Sequence, residues 1–465
     1  YTFVTRYTCF GSFNMHSFDV QAGFKNKLYN EKSQYDSNLN WVFRILSVVL
    51  VGVRILSSFF NTVNDCDETY NYWEPMHYQL FGTGFQTWEY SPTYSLRSYY
   101  YIGLHAIPLW LIMQLFHPSR LTLFYLLRLI LGTFCAFCEI TFCRAIYKKV
   151  SREIGILTMF FLMFSTGMFI SSTAYLPSSS AMYFVMLAYS FWLNLNFKMA
   201  VFMIASATLI GWPFAAVLGI AVAVDMLWRR LYASFIKYSL VSAVLILLPM
   251  MAVDYYYYRI ITISPLNLVK YNIFSSKGPE LYGVEPFSYY IYNGILNFNV
   301  VFPFGLVSIL VLFVSFKCGC YYQRDVWKFF SLLFPLYLWM GIFLNQAHKE
   351  ERFLFPIYPL LCMSAAMCIH GIVSIIDLKM SKIRTSKITT IMKLLLLSTF
   401  VTLSLSRTFL LIIGFSAPLK VYSSLEDFRG HVSAKEVNVC VAKEWHRFPS
   451  SFFMPSDNWH LRFVK

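Results

Sequence analysis

W-V-F-R-I-L-S-V-V-L-V-G-V-R-I-L-S-S-F-F at 41–60 runs directly into N-T-V-N-D-C-D-E-T-Y-N-Y-W-E-P at 61–75. The first stretch is long and apolar enough to cross a bilayer as a helix. The second is acidic and aromatic, and continues through F-Q-T-W-E-Y-S-P at 85–92. At the bilayer centre Asp65, Asp67 and Glu68 would cost about 2.5–3.5 kcal/mol each, roughly 8–10 together, so the loop must sit at the water boundary. Carboxylates set among Trp and Tyr at a membrane surface suit chemistry on a polar group carried by a lipid.

Composition agrees with a membrane chain. Of 465 residues, 57% are hydrophobic and 13% charged, against about 25% charged in a soluble domain. Mean hydropathy is +0.54. The net charge of +15 raises the question of nucleic acid, but the basic residues lie in short loops between apolar runs. The positive-inside rule accounts for them better, and no nucleic-acid partner is expected. Ten cysteines show no repeated metal spacing. A Cys66–Cys440 bridge is open if both lie on the lumenal side. No Walker loop, dinucleotide fingerprint or HExxH occurs, so no cofactor or metal is expected.

Further apolar runs lie near 122–143, 154–176, 181–197, 199–227, 238–253, 300–316, 327–345, 353–376 and 391–413. Gly211-Trp212-Pro213 splits 199–227 into two short spans, since proline breaks helical hydrogen bonding. Basic loops at 144–153, 228–237, 317–328 and 377–393 should face the cytosol. These assignments agree if 99–116 does not fully cross. The reading is therefore an all-α polytopic membrane protein with about 11 spans, a cytosolic polar arm at 1–40 and a transmembrane domain at 41–413. The loops 61–99 and 255–299, the motif at 345–352 and the segment 414–465 then share the lumenal face. Tyr1 in place of Met leaves two readings open, a start at Met15 or a fragment.

Four stretches carry chemistry. Asp65, Asp67 and Glu68 offer a carboxylate base for an acceptor hydroxyl; the same acids also suit a helix N-cap. Asn71, Trp73, Glu74, Trp88 and Glu89 offer the hydrogen bonds and aromatic faces that sugars need. N-Q-A-H-K-E-E-R-F-L-F-P at 345–356 places His348, Lys349 and Arg352 where a departing phosphate needs positive charge; the alternative is a loop of self-cancelling ion pairs. G-W-P-F-A-A at 211–216 is either a cavity-lining helix break or an ordinary kink. The tyrosine runs at 99–101 and 255–258 read as interfacial belts.

Together, D-C-D-E-T-Y-N-Y-W-E-P at 65–75, G-F-Q-T-W-E-Y-S-P at 84–92, G-W-P-F-A-A at 211–216, H-K-E-E-R-F-L-F-P at 348–356 and C-V-A-K-E-W-H-R-F-P-S-S-F-F-M-P at 440–455 resemble glycosyltransferase family 22. Within it the chain is most similar to the endoplasmic reticulum α-1,2-mannosyltransferase branch of N-glycan precursor assembly. The resemblance implies a GT-C fold, dolichyl-phosphate mannose as donor and a dolichyl-diphosphate-linked oligosaccharide as acceptor. It implies an inverting transfer in a multi-pass endoplasmic reticulum membrane protein with a lumenal active site. Members keep an Asp-Glu pair where Asp67-Glu68 stand, so Asp67 is the expected base and Asp65 the reserve, with His348, Lys349 and Arg352 on the donor phosphate. It also implies more lumenal chain after Lys465, so 414–465 reads as a truncated segment. The competing readings are a multipass transporter or lipid scramblase, and a glycosylphosphatidylinositol-anchor mannosyltransferase of the same family. Ionisable residues inside the apolar runs (Arg44, Arg54, Arg128, Glu139, Asp225, Arg407) are few, which disfavours a transport path.

Overall fold

The computed structural model describes residues 39–274, 283–379, 382–431 and 434–464. Residues 1–38 of the expected arm, 275–282 of the 255–299 loop and 380–381 of the last basic loop lie outside the described residues. Residues 49–464 belong to one compact unit, and 39–48 to a separate N-terminal one.

Seven helices among the described residues are long and apolar enough to cross a membrane: Leu39–Phe60, Tyr99–Phe116, Arg120–Lys149, Tyr232–Tyr258, Gln323–Asn345, Glu351–Leu378 and Lys387–Phe415. Ser288–Phe298 and Val301–Lys317, bent by 107° at their break, make an eighth if counted as one. By length and composition the expected eleven are not reached, and the reason is local. The 154–176 run is interrupted at Ser165, whose extended backbone separates Arg152–Phe164 from Thr166–Ser171. The 181–197 run becomes Pro177–Leu193, which proline opens at its first turn and which has 17 residues. The 199–227 run breaks at Trp212, extended between a π-helical Ala207–Gly211 and a tighter Pro213–Gly219.

The Tyr99–Phe116 helix, expected not to cross fully, is itself one of the seven at 18 residues, and both its ends are tied to other parts of the chain. At its start Ser98 caps Tyr100, and the buried Asp254 carboxylate accepts from Tyr99 N at 2.8 Å and Ser98 Oγ at 2.9 Å. Just past its end, Arg120 bonds Ser456 O at 3.2 Å and pairs with Asp457.

The helices pack through small residues, as membrane helices do. A Cβ on Gly305 would stand 2.5 Å from Leu361 Cδ1, and one on Gly132 would stand 2.6 Å from Ser58 Oγ. Three of the span charges, Arg54, Glu139 and Asp225, are paired with neighbours. Arg54 bonds Glu139 at 2.6 and 2.8 Å and the Leu162 carbonyl at 2.7 Å, with both side chains fully buried. Asp225 takes Trp192 Nε1 at 2.8 Å and Arg229 at 3.0 Å. The C-terminal segment departs from the all-α expectation. Val437–Val441 and Trp459–Phe463 form a two-stranded parallel sheet, with Val437 opposite Trp459.

Candidate active site

Three local devices shape the first loop. Asp65 Oδ1 accepts from Asp67 N at 2.9 Å. A π-helical turn, Glu68–Trp73, then buries Glu68, Thr69, Asn71, Tyr72 and Trp73 and leaves Asp67 half-buried on the open side; such turns are frequent at functional sites. After the helix Glu74–Phe81 the chain reverses at Gly82 (φ 73°). At Gly84 (φ 149°) a Cβ would lie 2.6 Å from Glu74 O, so glycine is required for Phe85 N to reach Glu74 Oε2 at 2.9 Å. Asn71 stitches the two halves of the loop, taking Thr87 Oγ1 at 2.6 Å and giving to Glu89 Oε1 at 2.9 Å.

The second motif arrives from far along the chain. Arg352 lies among three carboxylates: Asp65 Oδ2 at 3.2 Å, Asp67 Oδ2 at 2.5 Å and Glu350 Oε2. Arg97 completes the network, with Asp67 at 3.0 Å, Glu89 at 2.6 Å and the Tyr72 hydroxyl at 2.6 Å. His348 stands 3.0 Å from Glu350 Oε1 and 2.9 Å from the Gly283 carbonyl.

These groups line a cavity of about 410 Å³. The first loop gives it Cys66, Asp67, Tyr72, Trp88, Glu89 and Arg97; the second motif gives His348, Glu350, Arg352 and Phe353; the broken span gives Trp212 and Phe214; the C-terminal segment gives Trp445. Trp212 stacks on Phe353 at 5.0 Å. The helix break at 211–216 therefore lines a cavity, where irregular backbone at membrane depth is tolerated.

Of the residues expected from sequence, Asp67, Trp88, Glu89, His348 and Arg352 line this cavity, and Asp65 stands behind it on Arg352. The others turn away. Glu68 is buried, accepting from Tyr175 N at 3.1 Å and Trp73 Nε1 at 3.2 Å. Trp73 packs on Phe124 and Phe452 in the core. Glu74, fully buried, takes Ser450 Oγ at 2.8 Å, Ser451 N at 2.6 Å and Ser451 Oγ at 2.9 Å. Asn71 is spent on the loop. Lys349 is buried, and its ammonium is held by the Glu285 carbonyl at 2.8 Å and by the Gln346 carbonyl. Burial therefore removes Trp73 and Glu74 from the acceptor role expected of them. Sequence reasoning missed Arg97, Glu350 and Trp445. Arg97 had a signal, being the one cation set against five carboxylates in 61–99.

The charges divide the aspartates. Burial pushes Asp65 up to about 7, with Asp67 and Glu350 adding and Arg352 opposing. For Asp67 burial is outweighed by Arg352 and then Arg97, which hold it below the usual carboxylate range. Glu350 is likewise held low against burial by Arg352 and His348, and the Glu350 hydrogen bond raises His348. Asp65, Cys66 and Asp67 bring three potential ligand atoms within 4.8 Å. They fit a cation poorly, because Arg352 already bridges both carboxylates and burial pushes the Cys66 thiol up to about 12. Cys66 and Cys440 are both free thiols, so the bridge left open by the sequence is not formed.

The sequence profile of the Alg9-like mannosyltransferase family matches residues 45–455. This chain belongs to the Alg9-like mannosyltransferase family. A relative from Mus musculus, alpha-1,2-mannosyltransferase ALG9, is 40% identical over 89% of this chain and 70% of its own length. Its counterpart in Saccharomyces cerevisiae is 32% identical over 90% of this chain and 74% of its own. Among solved structures, ArnT from Cupriavidus metallidurans matches with a TM-score of 0.58 in the apo state at 11% identity, and 0.54 bound to undecaprenyl phosphate at 12%. Each match covers 92% of this chain and 86% of ArnT. The Alg9-like chain is thus a multi-span membrane glycosyltransferase of GT-C fold, and the transporter or scramblase alternative falls. The cavity built by the family's motifs is its candidate active site.

Proposed function

We propose that this protein is an α-1,2-mannosyltransferase acting in N-glycan precursor assembly, at the lumenal face of the endoplasmic reticulum membrane. It moves mannose from dolichyl-phosphate mannose to a dolichyl-diphosphate-linked oligosaccharide. Asp67 takes the proton of a mannose 2-hydroxyl as that oxygen attacks the donor's anomeric carbon. The bond from that carbon to the phosphate oxygen breaks, and dolichyl phosphate departs with the electron pair. One carboxylate suffices for such an inverting displacement.

Arg352 and Arg97 meet the leaving phosphate, with His348 beside them. Both guanidinium groups are committed to carboxylates. An arriving phosphate competes for them, and every hydrogen bond it takes from Asp67 makes Asp67 a stronger base. Lys349 contributes field rather than direct binding. A polyprenyl phosphate is also what the distant ArnT structure holds.

One observation carries the proposal. Asp67 and Arg352, from motifs 285 residues apart, meet on the wall of one cavity that also holds Trp88 and Trp212. The test is mannose transfer in detergent from dolichyl-phosphate mannose to a lipid-linked mannosyl-chitobiose oligosaccharide, with a glycosylphosphatidylinositol precursor offered in parallel. Wild type should extend the oligosaccharide, and Asp67→Asn should abolish transfer with donor binding kept. Full activity in Asp67→Asn would move the base to another carboxylate, and preference for the anchor precursor would reassign the pathway.

A further inference from the structure

A second, open groove of about 690 Å³ lies against the catalytic cavity. The two share Leu96 and Tyr271. Their common wall is a cluster of three aromatic rings. Trp88 meets Tyr94 edge-on at 4.9 Å and Tyr271 at 5.6 Å, and Tyr94 meets Tyr271 edge-on at 6.5 Å. Trp88 and Tyr94 remain 43% and 38% exposed although they pack on each other. Edge-to-face packing of this kind fixes the rings while leaving faces open. Thr93, Asn267 and Lys270 line the same groove, and Asn267 is itself held by Thr262 Oγ1 at 2.8 Å.

We infer that this groove is the subsite for the non-reacting mannose residues of the acceptor oligosaccharide, with Tyr94 as the stacking platform outside the catalytic cavity. The inference rests on reading the cavity as a glycosyl-transfer site. A cavity of about 410 Å³ is at the small end of ligand sites. It must hold the donor's sugar and phosphate together with the acceptor's terminal sugar. The remaining sugars of an oligosaccharide have to leave it. The groove opens where they would leave, directly beyond Trp88. Leu266, Val269 and Phe274 also line it, so its surface is amphipathic, with aromatic and aliphatic groups beside the Asn267 amide, the Thr93 hydroxyl and the Lys270 ammonium. That suits pyranose rings with an apolar C–H face and a hydroxyl rim. A polyprenyl chain would use only the apolar part of that surface.

The test compares two acceptors on the full chain in detergent: a dimannoside that reaches only the cavity, and the lipid-linked oligosaccharide. Tyr94→Ala should raise KM for the oligosaccharide about tenfold, the scale of one aromatic interaction, with kcat and the KM values for dimannoside and donor within twofold of wild type. Tyr94→Phe should restore oligosaccharide KM. Lys270→Ala, on the exposed rim, should raise that KM alone and guards against misfolding of Tyr94→Ala. Equal effects on both acceptors, or a raised donor KM (the mark of a polyprenyl occupant), would overturn the inference. Saturation-transfer NMR with free oligomannose and no donor reads the groove without turnover. A saturation-transfer signal that disappears in Tyr94→Ala supports the subsite even if no acceptor is extended, which would overturn the proposed function instead. A signal of wild-type strength in Tyr94→Ala would overturn the subsite whatever the activity.

Discussion

Arg352 Nη1 donates to Oδ2 of Asp67 across 285 residues of chain, and the same guanidinium reaches Asp65 Oδ2 at 3.2 Å. The arginine is a clasp between two motifs before it is a phosphate ligand. Its side chain is 13% exposed, so removing it leaves Asp65 without a cation and leaves Asp67 and Glu350 to Arg97 and His348 alone in a largely dry site. Losing one partner of a buried pair costs about 3–5 kcal/mol. Arg352→Ala should therefore lower the thermal midpoint in detergent as well as abolishing transfer. Arg352→Lys keeps the charge and loses the fork. It should fold near normally and lose on the order of 10²-fold in kcat/KM for the donor, about 2.7 kcal/mol. A lysine variant at full activity would show that only charge matters here.

The opposed shifts of Asp65 and Asp67 set a pH limb. Asp65 takes its proton as pH falls through about 7. Arg352 is then left more fully to Asp67, whose basicity falls. Activity should therefore decline on the acid side near neutrality, with apparent values belonging to the pair. In Asp65→Asn the remaining carboxylate is Asp67, held below the ordinary range. The acid limb of kcat/KM should move down by more than about one unit. A limb that stays in place would assign it to another group.

The motifs were legible because they are local strings of chemically unusual residues, and the structure gathers five of them, 65–75, 84–92, 211–216, 348–356 and 440–455, around one cavity. Their internal division was not legible. Trp73-Glu74 and Trp88-Glu89 are the same dipeptide in sequence, yet only the second pair lines the cavity. What separates them is Ser450 and Ser451, which bury Glu74 from 376 and 377 residues away. The expected eleven spans are not reached by length and composition for a similar reason. Hydropathy sees the 154–176 run, but the break at Ser165 is an extended backbone residue whose hydroxyl bonds Phe161 O at 2.6 Å and lies 3.8 Å from Cys362 Sγ. Trp212 was the exception, because a proline follows it.

Glu74 makes the C-terminal segment part of the site. Its carboxylate accepts from Phe85 N and from three donors of Ser450 and Ser451, and the same segment brings Trp445 to the cavity. Glu74→Ala strands several buried donors, each costing about 1–3 kcal/mol. The expected outcome is a destabilisation of about 3 kcal/mol or more, with faster proteolytic cleavage within 430–450. The double variant Ser450→Ala, Ser451→Ala keeps the backbone donor and should cost less, about 2 kcal/mol. Cleavage unchanged in Glu74→Ala would show that the aromatic packing of Phe452 holds the segment alone.

The Arg54–Glu139 pair separates an architectural role for span charges from a conducting one. Both side chains are fully buried, and Arg54 is also bound to the Leu162 carbonyl. Glu139→Gln leaves a guanidinium without its counter-charge where no water reaches it, a loss of about 3–5 kcal/mol. Replacing both charges by well-packed apolar residues is often neutral or stabilising. Arg54→Met with Glu139→Leu should therefore recover most of the thermal midpoint lost in Glu139→Gln. Transfer below the unfolding range should be close to wild type in the double variant, since neither group lines the cavity. Stability recovered without activity would mean the pair does more than hold the Leu39–Phe60 and Arg120–Lys149 helices together, and would return a proton or ion path to consideration.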